Sequence, residues 1–123
     1  MKAMPPKKVY YYKKDRYRKR RGGKAELIDV YCKACKTLLL IYQKDEPRGF
    51  LKRCYVDRIF YPSKYSLYRK LGAMPDLTCR KCHRLIGNPI RYAKHGESRL
   101  AYELVLHTFR RTKSIKAIGK DRA

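Results

Sequence analysis

Acidic residues are scarce in this sequence: 10 Asp and Glu stand against 33 Lys and Arg, which gives a formal charge of +23 over 123 residues. An excess of one charge on this scale opposes compaction through self-repulsion, and no fold requires it. A polyanion is therefore the expected partner. Nucleic acid is the commonest polyanion that proteins bind, and an anionic membrane surface is the other candidate.

Long apolar segments are also missing. The longest apolar run, residues 38–42, is far too short to span a bilayer. Residues 1–8 lack the apolar region of a secretory signal, and residues 1–24 contain no serine, which disfavours an organellar transit peptide. We therefore expect a cytoplasmic protein that makes no use of a membrane.

Cysteine is infrequent, but its placement is ordered. Cys32 and Cys35 form one C-x-x-C pair, Cys79 and Cys82 form a second, and Cys54 is left alone. An odd count argues against a secreted disulfide framework. Two residues between ligands let the chain turn tightly, so that both sulfurs lie about 2.3 Å from one metal. Two such pairs complete a tetrahedron that suits Zn²⁺, so the spacing predicts one structural zinc ion on the four paired cysteines.

Other chemistries use the same residues. A redox dithiol usually accompanies a βαβ pattern, which neither pair has. Two local disulfides, as in hyperthermophiles, and an iron–sulfur cluster remain as alternatives. Because a shell of four sulfurs leaves no position for water, we expect no hydrolysis at the metal. Cys54 is expected in the core, and His83 is expected beside the metal rather than bound to it.

Catalytic patterns are absent from the sequence. The acidic residues show no spacing typical of paired-acid catalysis, and Asp57, Glu97 and Glu103 are expected to pair with the surplus cations. We therefore predict a protein that is not an enzyme and has no small-molecule substrate.

The apolar pattern predicts a mainly β domain over residues 25–109, with one short helix. Alternating or continuous apolar segments bounded by turn residues indicate the strands. These predicted strands cover residues 27–31, 37–43, 50–61, 84–94 and 99–109. In the third of them, Phe50, Cys54, Val56 and Phe60 alternate onto one face. A helix is the alternative for residues 99–109, although their apolar residues show no clean 3.6-residue stripe. A helix is predicted over residues 63–71, since a serine can cap it and Gly72 can end it.

Two basic extensions flank this domain. Residues 1–24 carry eleven Lys or Arg against the single acid Asp15, and residues 110–123 form a second basic tail. Arginine can fork onto phosphate oxygens and tyrosine can stack on an unpaired base, so we predict that the extensions contact RNA. The predicted contact residues are Lys7, Lys8, Tyr11, Lys13, Lys14, Arg16, Tyr17, Arg18, Lys19, Arg20, Arg21, Arg110, Arg111, Lys113 and Lys116.

RNA is favoured over DNA because no helix-turn-helix, finger or zipper pattern appears. A basic tail that orders on binding is also a common mode of RNA recognition. The alternative is a zinc-ribbon factor or polymerase subunit of transcription that binds DNA.

With its two cysteine pairs and basic extensions, the chain resembles the zinc-ribbon ribosomal proteins of archaea and eukaryotes. The resemblance implies a structural role on ribosomal RNA, next to other ribosomal proteins, with the four paired cysteines as zinc ligands. There are departures from that pattern: Lys36 and His83 stand where many ribbons have glycine, and 43 residues separate the pairs. That separation is similar to the spacing in the β-tent proteins of the Yippee and Mis18 types. The expected fold is therefore zinc-ribbon-like or β-tent-like.

Overall fold

The structure is a computed structural model that describes residues 10–13, 15–20, 25–46, 49–94 and 96–114. Eight strands, one short α-helix and three 3₁₀ helices make up more than half of these ranges. The strands are β1 Glu26–Cys32, β2 Leu38–Lys44, β3 Arg53–Tyr55, β4 Ile59–Tyr61, β5 Leu77–Thr78, β6 Leu85–Tyr92, β7 Arg99–Leu104 and β8 Phe109–Lys113. The α-helix, α1, spans Arg16–Arg20, and 3₁₀ helices span Val56–Arg58, Ser63–Leu67 and Leu71–Ala73. No helix in the described ranges is long and apolar enough to cross a membrane.

The strands form two antiparallel sheets of four strands each. Their orders are β4-β2-β1-β8 in the first sheet and β3-β7-β6-β5 in the second. Apolar residues of both sheets meet in one core, for example Val30 and Leu40 of the first sheet with Ile86 and Tyr102 of the second. This architecture confirms the prediction of a small, mainly β domain.

The chain changes sheets at Val56–Arg58, where a 3₁₀ turn separates β3 from β4. The prediction of one strand over residues 50–61 is therefore wrong. Val56 is buried inside this turn, whereas Phe50 lies before β3 with 88% of its surface exposed. Alternation alone missed the break because apolar residues occupy both the strands and the turn between them.

Two other predicted elements differ in detail. The helix expected over residues 63–71 is a 3₁₀ helix that ends at Leu67. The last predicted strand is two strands, β7 and β8, joined by a turn in which His107 has a φ of 67°. Since β8 continues to Lys113, ordered β structure extends into the region predicted as a C-terminal tail.

The docked segment, residues 10–13 and 15–20, lies against the domain, and Tyr10 and Tyr12 within it cover part of the outer face of the first sheet. Tyr10 is 4% exposed and stacks on Phe60 with ring centroids 5.7 Å apart. Gln43, fully buried on β2, binds the backbone of Lys13: its side-chain Oε1 accepts from the Lys13 N–H at 2.6 Å and its Nε2 donates to the Lys13 carbonyl at 2.9 Å. Both faces of β2 are therefore buried, which accounts for its continuous apolar run.

Asp15 begins helix α1. Its Oδ1 accepts a hydrogen bond from the Tyr17 N–H at 3.0 Å, and its carbonyl accepts from the Lys19 N–H at 3.1 Å. A side-chain oxygen at this position satisfies one of the unpaired N–H groups of the first turn. This cap explains why a short helix forms within a strongly basic segment.

The Asp15 carboxylate also contacts Arg58, a completely buried guanidinium at the change of sheets. Arg58 bonds Asp15 at 2.5 Å, Asp45 at 2.8 Å and Asp57 at 3.3 Å, all measured from guanidinium nitrogen to carboxylate oxygen. These carboxylates raise the pKa of Arg58 against the opposing effect of burial, which is the largest single influence on it. The three contacts tie the docked segment, the loop after β2 and the 3₁₀ turn together.

Arg99 is a second buried arginine that contacts acidic side chains. Its guanidinium lies between two tyrosine rings, 3.7 Å from the centroid of Tyr55 and 4.0 Å from that of Tyr17. Its Nη2 donates to Asp57 at 2.8 Å, and Nη1 faces Glu97 at 4.0 Å. The expected pairing of Asp57 and Glu97 with cations is thus present: Glu97 is buried, whereas Asp57 is partly exposed.

Replacement of Arg58 with methionine should destabilise the fold by about 3–5 kcal/mol, because three carboxylates would lose their buried counter-charge. Urea unfolding of the two metal-loaded proteins measures the difference. Arg110→Met, which removes an exposed arginine from β8, is the matched control and should change the free energy of unfolding by less than about 0.5 kcal/mol. Equal effects of the two substitutions would contradict the role given to Arg58.

Candidate metal centre and cationic surface

The two cysteine pairs lie in two turns, one from each sheet. Cys32 ends β1, and Cys35 lies in the turn that leads into β2. Cys79 follows β5, and Cys82 lies in the turn before β6. Each turn therefore joins two antiparallel strands, and a metal bound to both pairs links the two sheets.

The first turn is closed by backbone hydrogen bonds on both sides of the cysteines. The Cys32 N–H donates to the Thr37 carbonyl at 2.8 Å, and the Lys36 N–H donates to the Cys32 carbonyl at 2.9 Å. The hydroxyl of Thr37 lies 3.1 Å from the Cys35 sulfur. These contacts hold the chain tightly enough for both sulfurs to face one point.

The second turn repeats this pattern. The Cys79 N–H donates to the Arg84 carbonyl at 2.9 Å, and the His83 N–H donates to the Cys79 carbonyl at 2.8 Å. The Cys82 N–H points at the Cys79 sulfur from 3.5 Å, the kind of amide contact that stabilises a thiolate. Equivalent backbone geometry at sites 47 residues apart in sequence (32 to 79) is what two halves of one metal site require.

The residue after each pair has a left-handed backbone. Lys36 has a φ of 66° and His83 a φ of 65°. Many ribbons have glycine here because it adopts this conformation without strain. Lys36 and His83 instead adopt it at a cost of about 1–2 kcal/mol each, which a bound metal can offset.

The four sulfurs form the cysteine cluster (Cys32, Cys35, Cys79 and Cys82), in which all ligand atoms lie within 4.8 Å of one another. Two close separations join sulfurs of different pairs: Cys32 to Cys82 is 3.6 Å and Cys35 to Cys79 is 3.4 Å. A tetrahedral zinc site with bonds of ~2.3 Å has sulfurs roughly 3.8 Å apart. The cluster is therefore close enough to hold one metal ion, and all of its cysteines are free thiols.

Burial and charge within the cluster are uneven. Cys32 and Cys79 are fully buried, whereas Cys82 is exposed. Hydrogen bonds from the Thr37 hydroxyl and backbone N–H lower the pKa of Cys35 to about 6. A hydrogen bond from the Arg84 backbone lowers the pKa of Cys82. The partial loss of solvent around the sulfur and the three neighbouring thiols raise it by more, so that the pKa of Cys82 is about 11. Sulfurs this close cannot all ionise near neutral pH unless a cation joins them.

The remaining candidates for metal ligation lie outside the cluster. Cys54 is completely buried opposite Tyr102 in the second sheet, where burial raises the pKa of its thiol. His83 is exposed, and its ring is not part of the cluster. The structure thus places Cys54 in the core and His83 beside the site, as the sequence predicted.

The predicted RNA-contacting residues fall into three groups. Those with exposed side chains are Tyr11, Lys13, Arg16, Lys19, Arg110, Arg111 and Lys113. Tyr17 is half-buried against Arg99, and Arg18 and Arg20 lie in α1. Lys7, Lys8, Lys14, Arg21 and Lys116 lie outside the described residues. The cations therefore occupy a strand and a docked helix as well as the chain ends.

Strand β8 is the edge of the first sheet and presents cations on both of its faces. It pairs with β1 along one side, and the residues from Arg110 to Lys113 are exposed. Arg111 donates to the Gly49 carbonyl at 2.8 Å, which fixes its side chain over the loop before β3. A charged edge of this kind resists pairing with other strands and leaves the cations accessible.

Sequence reasoning expected Asp57 and Glu97 to pair with cations, but it did not identify Arg58 and Arg99 as those cations, and it missed the exposure of Phe50. Acids close to apolar residues in an otherwise basic chain were a signal for the carboxylate contacts of the two arginines. The partners could not be identified from it, because Asp15, for example, lies 43 residues from Arg58 in sequence. No local sequence pattern indicated that Phe50 would be exposed.

Comparisons with protein-family models, with curated proteins and with solved structures found no match to this chain.

Replacement of Cys79 with serine should abolish binding of one metal ion per chain, because a hydroxyl is a poor substitute for a thiolate ligand. Native mass spectrometry before and after treatment with a chelator measures the stoichiometry. Cys54→Ala should keep the ion, since Cys54 lies outside the cluster. A wild-type protein purified with zinc in the medium but carrying no metal would refute the site.

Proposed function

We propose that this chain is a structural ribosomal protein of the cytoplasm that binds ribosomal RNA through its cationic surface and carries one structural zinc ion. The observation that carries the proposal is the direction in which its few carboxylates face. Asp15, Asp45 and Asp57 surround Arg58, and Glu97 faces Arg99, so four of the ten acidic residues are directed at two buried arginines. With these acids engaged, the charge of +23 leaves a large surplus of cations, which suits a polyanion.

Strand β8 supports the proposal because it holds cations in fixed positions. Alternate residues of a strand point to opposite faces, so Arg110 lies on one face and Arg111 and Lys113 lie on the other. An edge strand of this kind can lie between two phosphate backbones and contact both. The docked segment adds three more exposed cations, Lys13, Arg16 and Lys19.

Zinc is the metal that best suits the cysteine cluster. Four thiolates in a tetrahedral arrangement favour a soft or borderline divalent ion without redox chemistry. Binding of structural zinc releases roughly 10–16 kcal/mol, as much as the whole stability of an ordinary domain. In this proposal the ion keeps the two sheets, and hence the cationic residues, in a fixed relation for docking on folded RNA.

The assembly is tested by sedimentation of a cell lysate at moderate salt. We expect the protein to migrate with a ribosomal subunit and to leave it after ribonuclease treatment. Migration at the top of the gradient would refute the ribosomal role. Release by deoxyribonuclease instead would favour the DNA-binding transcription factor.

The contact surface is tested by the salt dependence of RNA affinity. The double variant Arg110→Gln/Lys113→Gln should reduce the slope of log K against log salt by about one unit for each cation removed, because fewer counterions are released. The variant Arg110→Lys/Lys113→Arg keeps both charges and should retain the slope. If both variants behave like the wild type, β8 does not contact RNA.

A further inference from the structure

Phe50 is an exposed aromatic residue at the edge of a cleft. Its exposed fraction of 88% is the largest among the exposed large apolar side chains of the described residues. The cleft has a volume of about 380 Å³ and lies between β2, β3 and the loop that connects them. It is lined by two tyrosines, Tyr42 and Tyr55, as well as by Phe50. No other aromatic ring in the described residues stacks on Phe50.

The wall of this cleft is cationic. Lys44, Lys52 and Arg53 line it, and Lys44 is only 8% exposed. The Lys44 ammonium donates to the Glu46 carbonyl, and burial, followed by repulsion from Arg111, lowers the pKa of this lysine. A lysine held in such surroundings gains from a nearby anion, because the anion compensates for lost solvation.

The carboxylates near the cleft do not cancel this charge. Asp45 is bonded to Arg58 at 2.8 Å and to the Gln43 amide at 2.7 Å, so its oxygens are directed away from the lysines. Glu46 also lines the cleft, and Glu46 and Glu26, which is opposite Lys44 in the β1–β2 pair, both attract Lys44. Three cations and two acids line the cleft, and one of those acids, Asp45, is engaged by Arg58. The cleft therefore combines an exposed ring with a net positive wall.

Arg53 is already fixed in position. Its guanidinium carbon lies 4.4 Å from the centroid of Tyr92, which keeps the planar fork extended along the surface. Cation–aromatic contacts of this type reduce the side-chain entropy lost when an arginine later binds a phosphate. Phe50, by contrast, keeps a free face toward solvent.

We propose that the cleft holds one unpaired RNA nucleotide, with its base stacked on Phe50 and its phosphate beside Lys52 and Arg53. An exposed ring next to cations is the arrangement by which proteins bind single strands, since every base has a face that can stack. A second copy of this basic chain would bring like charge to the cationic wall. The inference rests on the proposed RNA-binding function and adds to it a preference for unpaired over duplex RNA.

A tryptophan reporter tests the stacking directly. The chain contains no tryptophan, so Phe50→Trp introduces a single emitting indole at the cleft. Stacking of a base should quench this emission when a short single-stranded oligoribonucleotide is added, and a duplex of the same length should leave it unchanged. Leu106→Trp is the matched control, because Leu106 is 71% exposed in the turn before β8 and should show no quenching.

Affinity measurements complete the test. Phe50→Ala should weaken binding of the single strand about tenfold and leave duplex binding unchanged, as expected for loss of one stacked base. Leu106→Ala should change neither. Equal quenching of the two reporters, or unchanged affinity of Phe50→Ala, would overturn the cleft while leaving the RNA-binding function intact. A wild-type protein that binds no RNA would refute that function itself, and quenching that grows with protein concentration alone would identify a second copy as the occupant.

Discussion

The convergence of four sulfurs from two separate turns is the constraint on which the rest of this structure depends. One turn belongs to each sheet, so a metal at the cysteine cluster links the sheets at a single point. Strands as short as β5, with two residues, and β4, with three, have little stability of their own. They persist because each pairs with a longer strand that leaves a cysteine turn: β5 with β6, and β4 with β2.

Electrostatics imposes the second constraint. A chain of charge +23 cannot collect its cations in the interior, yet Arg58 is fully buried. Its burial is tolerable because carboxylates from three parts of the chain surround it. The same contacts engage three of the ten acids with one buried cation, so a single cluster secures the change of sheets while the rest of the chain keeps a large surplus of positive charge.

The sequence predicted those features that depend on short stretches of chain. The C-x-x-C spacing located the cysteine cluster, because two intervening residues dictate a turn wherever it stands. Strands β1, β2 and β6 were predicted because their apolar patterns are local. The surroundings of Arg58 could not be predicted, since Asp15 and Asp45 reach it from 43 and 13 residues away. The break between β3 and β4 was missed for a related reason: a buried 3₁₀ turn and a strand use the same apolar residues.

The contact between Gln43 and Lys13 has a consequence for how this chain can change. At position 13, Gln43 contacts the backbone N–H and carbonyl and not the side chain, and the lysine side chain is left exposed. The interaction is therefore indifferent to residue type there, apart from proline, which has no N–H to donate. A substitution at position 13 by any residue other than proline should therefore leave the path of the segment across the sheet unchanged.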